Sequence, residues 1–283
     1  MLSEYLISHL GSILSEKIID IKNLSGGDIN EVFLLTTSMN KVVVKTNKAS
    51  RYPRMFEAEA KGLQKLANSN TFTIPKVLSF GELKNASFLM MEYIDPGRRD
   101  VKFWEQFGRK LGRLHQQTQT FFGLEYDNYI GSLPQYNTPQ STASDFYITQ
   151  RLQPQFDLAV EQGFLFSDLD RFYKNIRQEI PVELPSLLHG DLWNGNYLID
   201  QQGLPCLIDP AVAYASREMD IAMMHLFGGF DSLLFDSYNE IYPLLNGWKK
   251  RLPIWQLYYL LVHLNLFGNS YYTSVDTIIK KYS

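Results

Sequence analysis

Cysteine is almost absent from this chain: there is one, Cys206, inside the apolar run Cys206-Leu207-Ile208. A single thiol cannot close an internal disulfide, so the fold must rest on its core, and a reducing, cytoplasmic setting is the simplest expectation. Blocks of like charge are also missing. The 27 basic and 30 acidic side chains leave a net charge of -3, and neither sign gathers into a tether for nucleic acid or for a membrane surface. Long hydrophobic runs are lacking too. The most apolar one, Ile254 to Phe267, is interrupted by Gln256, His263 and Asn265. It is too short and too polar to span a bilayer and reads as a buried helix. No basic region precedes an apolar core at the start, where Glu4 and His9 intervene, so no signal peptide is expected. Internal repeats and low-complexity tracts are absent. What remains is 283 residues, 45% hydrophobic and 20% charged, an ordinary globular composition with room for one or two domains.

The first third reads as strands. Ser3 can cap a helix whose Leu6, Leu10, Ile13 and Leu14 recur at helical spacing. Strands are then expected over 18–24, 32–37 and 41–46, with turns at Ser25-Gly26-Gly27-Asp28 and Met39-Asn40. Gly26 and Gly27 either let backbone N–H groups approach a phosphate or simply close a hairpin. Lys45 ends Val42-Val43-Val44-Lys45 on the face of Val43. From Pro53 to Asn68 the period is helical, and Glu59 falls inside the apolar stripe of Phe56, Ala60, Leu63 and Leu66, whereas Glu57 falls outside it. A carboxylate in a core stripe needs a partner, which predicts a Lys45–Glu59 ion pair. Strands over 72–80 and 88–94 follow, and the break Asp95-Pro96-Gly97 sets a boundary between domains 1–94 and 95–283. Beyond it helices dominate, with an irregular stretch from Phe121 to Ser141. His115 shares a face with Phe107, Leu111 and Leu114 and reads as a satisfied core histidine.

The chemistry concentrates at His189-Gly190-Asp191-Leu192-Trp193-Asn194-Gly195-Asn196, followed by Cys206-Leu207-Ile208-Asp209-Pro210. Phosphoryl transfer requires positioning and charge neutralisation by divalent ions on hard oxygens. Asn196 and Asp209 can supply those oxygens, and Asp191 can accept the proton of an attacking hydroxyl. Asp209 precedes proline, so an extended backbone is expected there. His189 is read as structural, its ring bonding loop backbone. Trp193 either stacks on a sugar face or packs the loop against a helix.

In chain order, these parts match an α+β, bilobal protein-kinase-like fold, with a small antiparallel-sheet N-lobe and a larger helical C-lobe. The H-G-D start and Asp209-Pro210-Ala211 resemble its small-molecule branch. Within that branch several runs resemble the fructosamine kinase (ketosamine-3-kinase) family. They are Gly26-Gly27-Asp28-Ile29, Phe56-Glu57-Ala58-Glu59, Asp127-Asn128-Tyr129-Ile130-Gly131, the catalytic stretch with its Trp193, Asp209-Pro210-Ala211-Val212, Arg217 to Met223, and Leu226-Phe227-Gly228-Gly229-Phe230. The resemblance covers nearly the whole chain. It implies ATP- and magnesium-dependent phosphorylation of the sugar 3-hydroxyl of ketosamines, free or protein-bound, with later loss of the amine. It assigns Asp191 as base, Lys45 to the ATP phosphates with Glu59 orienting it, and Asn196 with Asp209 to magnesium. The Gly26-Gly27-Asp28 turn would cover the phosphates, and the Glu92 carbonyl and Ile94 amide would meet adenine. Trp193, Asp127, Asn128 and Glu218 are the candidate substrate contacts, within a mixed set that includes Asp220. The turn from Leu24 to Phe33 has no cysteine for the redox regulation some relatives carry, and Ala213 and Ala215-Ser216 replace a more aromatic and acidic stretch. The rival readings are a kinase of an aminoglycoside, choline or homoserine-like hydroxyl, and a silent nucleotide-binding scaffold. Neither nucleic acid nor membrane is an expected partner.

Overall fold

A computed structural model describes residues 2–24 and 29–283. Its contacts divide the chain into two compact units, residues 1–98 with 198–208, and residues 99–197 with 209–283.

The first unit begins with helix α1 (Glu4–Leu14), whose first turn is capped by Ser3 Oγ accepting from the Leu6 amide. Strands β1 (Ile18–Leu24), β2 (Glu31–Thr37) and β3 (Lys41–Lys48) follow, then helix α2 (Met55–Asn68) and strands β4 (Val77–Leu83) and β5 (Ala86–Glu92). Among the described residues, these five strands form one antiparallel sheet in the order β1-β2-β3-β5-β4. Period-two alternation decides what each face holds. Val42, Val44, Phe33, Leu35, Phe88 and Met90 pack under α1, while Val43, Leu89 and Met91 pack under Phe56, Ala60 and Leu63 of α2. Lys45 belongs to the α2 face, which brings it to Glu59. Strand β4 starts later than the expected residue 72. Pro75 has no N–H to donate, and Thr73 instead forms an isolated bridge with Cys206.

The second unit opens with α3 (Phe103–His115) and a short hairpin, β6 (Asn128–Ile130) and β7 (Leu133–Gln135), inside the stretch expected to be irregular. Helix α4 (Ala143–Tyr147) runs through a π-helical turn (Ile148–Leu152) into α5 (Gln153–Glu161), followed by α6 (Leu169–Glu179) and β8 (Ser186–Leu188). Strands β9 (Tyr197–Ile199) and β10 (Pro205–Leu207) then pair with each other, and residues 198–208 complete the first unit. There the Leu207 amide donates to Thr73 O at 3.0 Å, and the Gly97 amide to Ile199 O at 2.9 Å. Back in the second unit, β11 (Ala213–Ala215) pairs antiparallel with β8, ahead of α7 (Glu218–Phe227), α8 (Ser232–Ile241), α9 (Trp248–Phe267) and α10 (Tyr272–Tyr282). The expected apolar helix is α9, whose Ile254, Trp255, Leu257, Tyr258 and Leu261 lie in the main core. No helix among the described residues is long and apolar enough to cross a membrane.

Candidate active site

In the first unit, Lys45 Nζ stands 2.7 Å from Glu59 Oε1, with both side chains largely buried. A buried lysine held by a helix carboxylate is a fixed point charge, suited to an anionic ligand. Glu92 ends β5 with its side chain exposed, its Oε2 accepting from the Lys76 amide at 3.3 Å, and Ile94 lies two residues on, half-buried. Gly26, Gly27 and Asp28 lie outside the described residues.

In the second unit, β8 delivers His189, Gly190 and Asp191. Gly190 adopts φ +86°, and a Cβ there would stand 2.0 Å from Ala211 O, so only glycine fits. The loop is clamped from below by Asp220 of α7. Its Oδ2 accepts from the His189 amide at 2.8 Å, and its Oδ1 accepts from the Gly190 amide at 2.9 Å. His115 Nε2 lies 3.2 Å from the same Oδ2, and its Nδ1 lies 3.0 Å from the Tyr238 hydroxyl. Burial alone would raise the Asp220 carboxyl, but the His115 hydrogen bond and charge hold it below the ordinary range. Tyr259 adds a hydroxyl donated to Gly190 O at 3.1 Å. His115 is therefore the satisfied core residue expected. The ring of His189 bonds loop backbone, Nδ1 accepting from the Asp191 amide at 3.3 Å.

The Asp191 carboxylate accepts from Asn196 Nδ2 at 3.0 Å, and the same nitrogen donates to Asp191 O at 2.8 Å. Burial pushes Asp191 up to about 7, and the charges of Asp209 and Asp220 push in the same direction. A carboxyl poised there suits general-base work near neutral pH. The Asn196 nitrogen is committed to Asp191, which leaves Oδ1 as the atom of that amide able to meet a cation. One amide oxygen and the Asp209 carboxylate match the sparse set magnesium takes when substrate phosphates and water complete its octahedron. No cluster of three acidic, histidine or cysteine side chains suited to caging a metal occurs among the described residues. Asp209 itself is not extended, contrary to the pre-proline expectation. It sits at φ +55°, a left-handed conformation that aspartate tolerates better than most residues because its short side chain bonds locally.

The four candidate substrate residues part company. Trp193 is 39% exposed, and its indole lies across Gly195, where a Cβ would overlap the ring at 2.3 Å. Asp127 is exposed, with Oδ1 accepting from the Asn137 amide at 2.7 Å. Asn128 is buried: Nδ2 donates to Val212 O at 2.9 Å, and Oδ1 accepts from both Gln135 and Asn137. Glu218 is 1% exposed. Its carboxylate accepts from Arg251 at 2.5 and 2.9 Å and from the Trp255 indole at 2.8 Å, so it ties α7 to α9. Asp220, grouped with them in the sequence, is the clamp just described. The readable signal for it was a carboxylate within the otherwise apolar run Met219-Asp220-Ile221-Ala222, which demands buried donors.

Residues 3–283 match the family model described as fructosamine kinase. A probable ketoamine kinase of Enterococcus faecium is 40% identical over 263 residues, covering 91% of this chain and 93% of the relative. A probable ketoamine kinase of Escherichia coli K12 is 36% identical, covering 93% and 92%. Among solved structures, one assigned as a fructosamine-3-kinase from Haemophilus somnus superimposes with a TM-score of 0.89 at 30% identity, covering 98% of this chain and 96% of that one. A spectinomycin phosphotransferase superimposes with a TM-score of 0.63 at 15% identity, a likeness of fold.

Proposed function

The chain belongs to the fructosamine kinase family, and from that premise we propose that it transfers the γ-phosphoryl group of ATP to the 3-hydroxyl of a ketosamine, a ketose joined to a free or protein-bound amine. Breakdown of the 3-phosphate then releases the amine, which is deglycation. Residues 1–94, joined by the returning segment 198–208, supply the nucleotide-binding lobe, and the rest of 95–283 the catalytic and acceptor-binding lobe. Lys45, oriented by Glu59, binds the ATP phosphates under the Gly26-Gly27-Asp28 turn, and the Glu92 carbonyl and Ile94 amide meet the adenine edge. Asp191 accepts the proton of the sugar hydroxyl. Trp193 offers its exposed indole face to the sugar ring. Asn196 and Asp209 would hold magnesium, which when bound neutralises charge on the transferred group. A reducing cytoplasm suits Cys206, a buried thiol whose burial pushes it up to about 12.

The observation that carries this reading is the Asn196 amide, whose nitrogen is bound to the Asp191 base and whose oxygen is left for a hard cation. The deciding experiment measures ATP consumption with magnesium on ribulosamines and fructosamines of lysine, with choline and an aminoglycoside alongside. Turnover confined to the ketosamines supports the reading. Turnover confined to the other alcohols keeps the kinase and replaces its substrate. Nucleotide binding with no turnover on any acceptor removes the kinase reading.

Two further results are expected. Because kcat/KM reports groups in the free enzyme, and the Asp191 carboxyl stands near 7, the base form is lost as pH falls through that value. A kcat/KM profile should therefore rise by one proton's slope up to about pH 7 and then level off. A flat profile from pH 5.5 to 8 would contradict the assignment. Lys45→Met should raise the KM for ATP and lower kcat together, since it removes the charge and also leaves Glu59 buried without its cation. Unchanged kinetics in that variant would remove Lys45 from the nucleotide site.

A further inference from the structure

We propose that Asp127 is a specificity-determining residue that receives the protonated amine of the substrate. The inference rests on the ketosamine reading above. A ketosamine differs from a free ketose by a secondary amine, which is cationic at neutral pH. Selecting it calls for a carboxylate on the acceptor side, since a charge-assisted hydrogen bond is roughly twice as strong as a neutral one.

Four acids near the catalytic loop are already committed. Asp191 is the base, Asp209 is assigned to the metal, Asp220 accepts from two loop amides and faces His115, and Glu218 is buried against Arg251 and Trp255. Asp127 differs from all of them. It is exposed, only Oδ1 is used, by the Asn137 amide, and among the described residues no cationic side chain forms an ion pair with it. The charge of Arg151 reaches Asp127, yet the guanidinium directs its N–H groups to the carbonyls of Tyr136 and Gln150 and to Asn137 Oδ1.

Recognition also requires that this carboxylate keep a fixed place relative to the base, and a buried chain of hydrogen bonds provides that. Asn137, which holds Asp127, donates from Nδ2 to Asn128 Oδ1 at 2.9 Å. Gln135 Nε2 donates to the same oxygen at 2.8 Å and to Ala211 O at 3.1 Å. The Ala211 amide donates to His189 O at 2.9 Å, two residues before Asp191. Asn128, Gln135, Asn137 and His189 are all buried, and a fully satisfied buried network of this kind holds its members rigidly. The amide-rich segment thus builds a support for one exposed acid.

The test is Asp127→Asn, which keeps the acceptor for the Asn137 amide and removes the charge. Its steady-state kinetics are compared with those of the native enzyme on the fructosamine and ribulosamine of N-acetyl-lysine and on 1-O-alkyl ketose analogues of equal length that lack the nitrogen. Glu125→Gln serves as a neighbouring-charge control, and melting curves report folding. The expected result is a KM for the ketosamines raised about 10- to 100-fold, with kcat, the KM for ATP and turnover of the nitrogen-free analogues within about threefold of native. An excess of dimethylammonium should compete with ketosamine in the native enzyme and not in the variant. Equal losses on both substrate series, no loss on either, or the same loss in Glu125→Gln would each overturn the role of Asp127. Absence of ketosamine turnover in the native enzyme would instead overturn the substrate reading beneath it.

Discussion

Asp191→Asn is expected to lower kcat by roughly 10²- to 10⁴-fold, the usual worth of a positioned general base, and at the same time to make the protein more stable. Both effects have one cause. The folded protein holds the Asp191 carboxyl at about 7 by burial and by the nearby charges of Asp209 and Asp220, whereas the unfolded chain gives it an ordinary carboxylate value. A carboxyl raised on folding binds its proton more tightly in the native state. The native state is therefore favoured at low pH and loses stability as pH rises toward 7. At pH 8 the native enzyme carries the full penalty of an ionised, half-buried acid. Asparagine has the same shape, can still accept from Asn196, and carries no charge. The variant should melt higher at pH 8 by the equivalent of about 1 kcal/mol, with the gain shrinking as pH falls below 7 and vanishing only below the ordinary carboxylate value, about 4. Calorimetry at pH 5 and 8, together with nucleotide titration, checks this. A variant that loses activity and also melts lower at pH 8 would show that Asp191 supports the fold, and near-native turnover would dismiss it as the base.

Glu218→Ala should be among the most destabilising single changes in the chain. The carboxylate is enclosed by Arg251 Nη2 and Nε and the Trp255 indole N–H, and Arg251 is itself only 8% exposed. Removing one partner of a buried pair leaves an uncompensated charge, which costs about 3–5 kcal/mol. The indole donor, fully buried in α9, loses its acceptor as well. The melting temperature should fall by roughly 10 °C, while kcat/KM measured well below the new midpoint stays within a few-fold of native. Glu218→Gln, which keeps an acceptor for the indole, should fall between the two. An intact melting temperature with a large rise in the ketosamine KM would return Glu218 to the substrate contacts.

Why Glu218 read as a substrate acid shows where sequence patterning stops. Helix α7 is buried from Glu218 through Met224, so it has no exposed face, and periodicity cannot separate an acid that binds a ligand from one that binds the core. Glu59 was legible because α2 is amphipathic. A carboxylate inside its stripe stood out, and an apolar strand ending in lysine supplied the partner. The kinase-like order of sheet and helices, with the His189–Asn196 loop between β8 and β9, was legible for the same reason, since each part carries a period or a turn signal. The β6–β7 hairpin was not, because three-residue strands are too short to show alternation. Nor was the left-handed Asp209, where the demands of the loop outweigh the steric preference set by the following proline.

The return of residues 198–208 to the first unit bears on how the protein is made. A nascent chain that has emerged only through Arg98 has all five strands of the sheet. It still lacks Ile199, which accepts from the Gly97 amide, Asp200, which accepts from the Thr73 hydroxyl, and Leu207, whose amide donates to Thr73 O. Domains usually fold in turn as they leave the ribosome. Here the first unit must wait for roughly a hundred further residues, most of the second unit among them, before its last contacts can close.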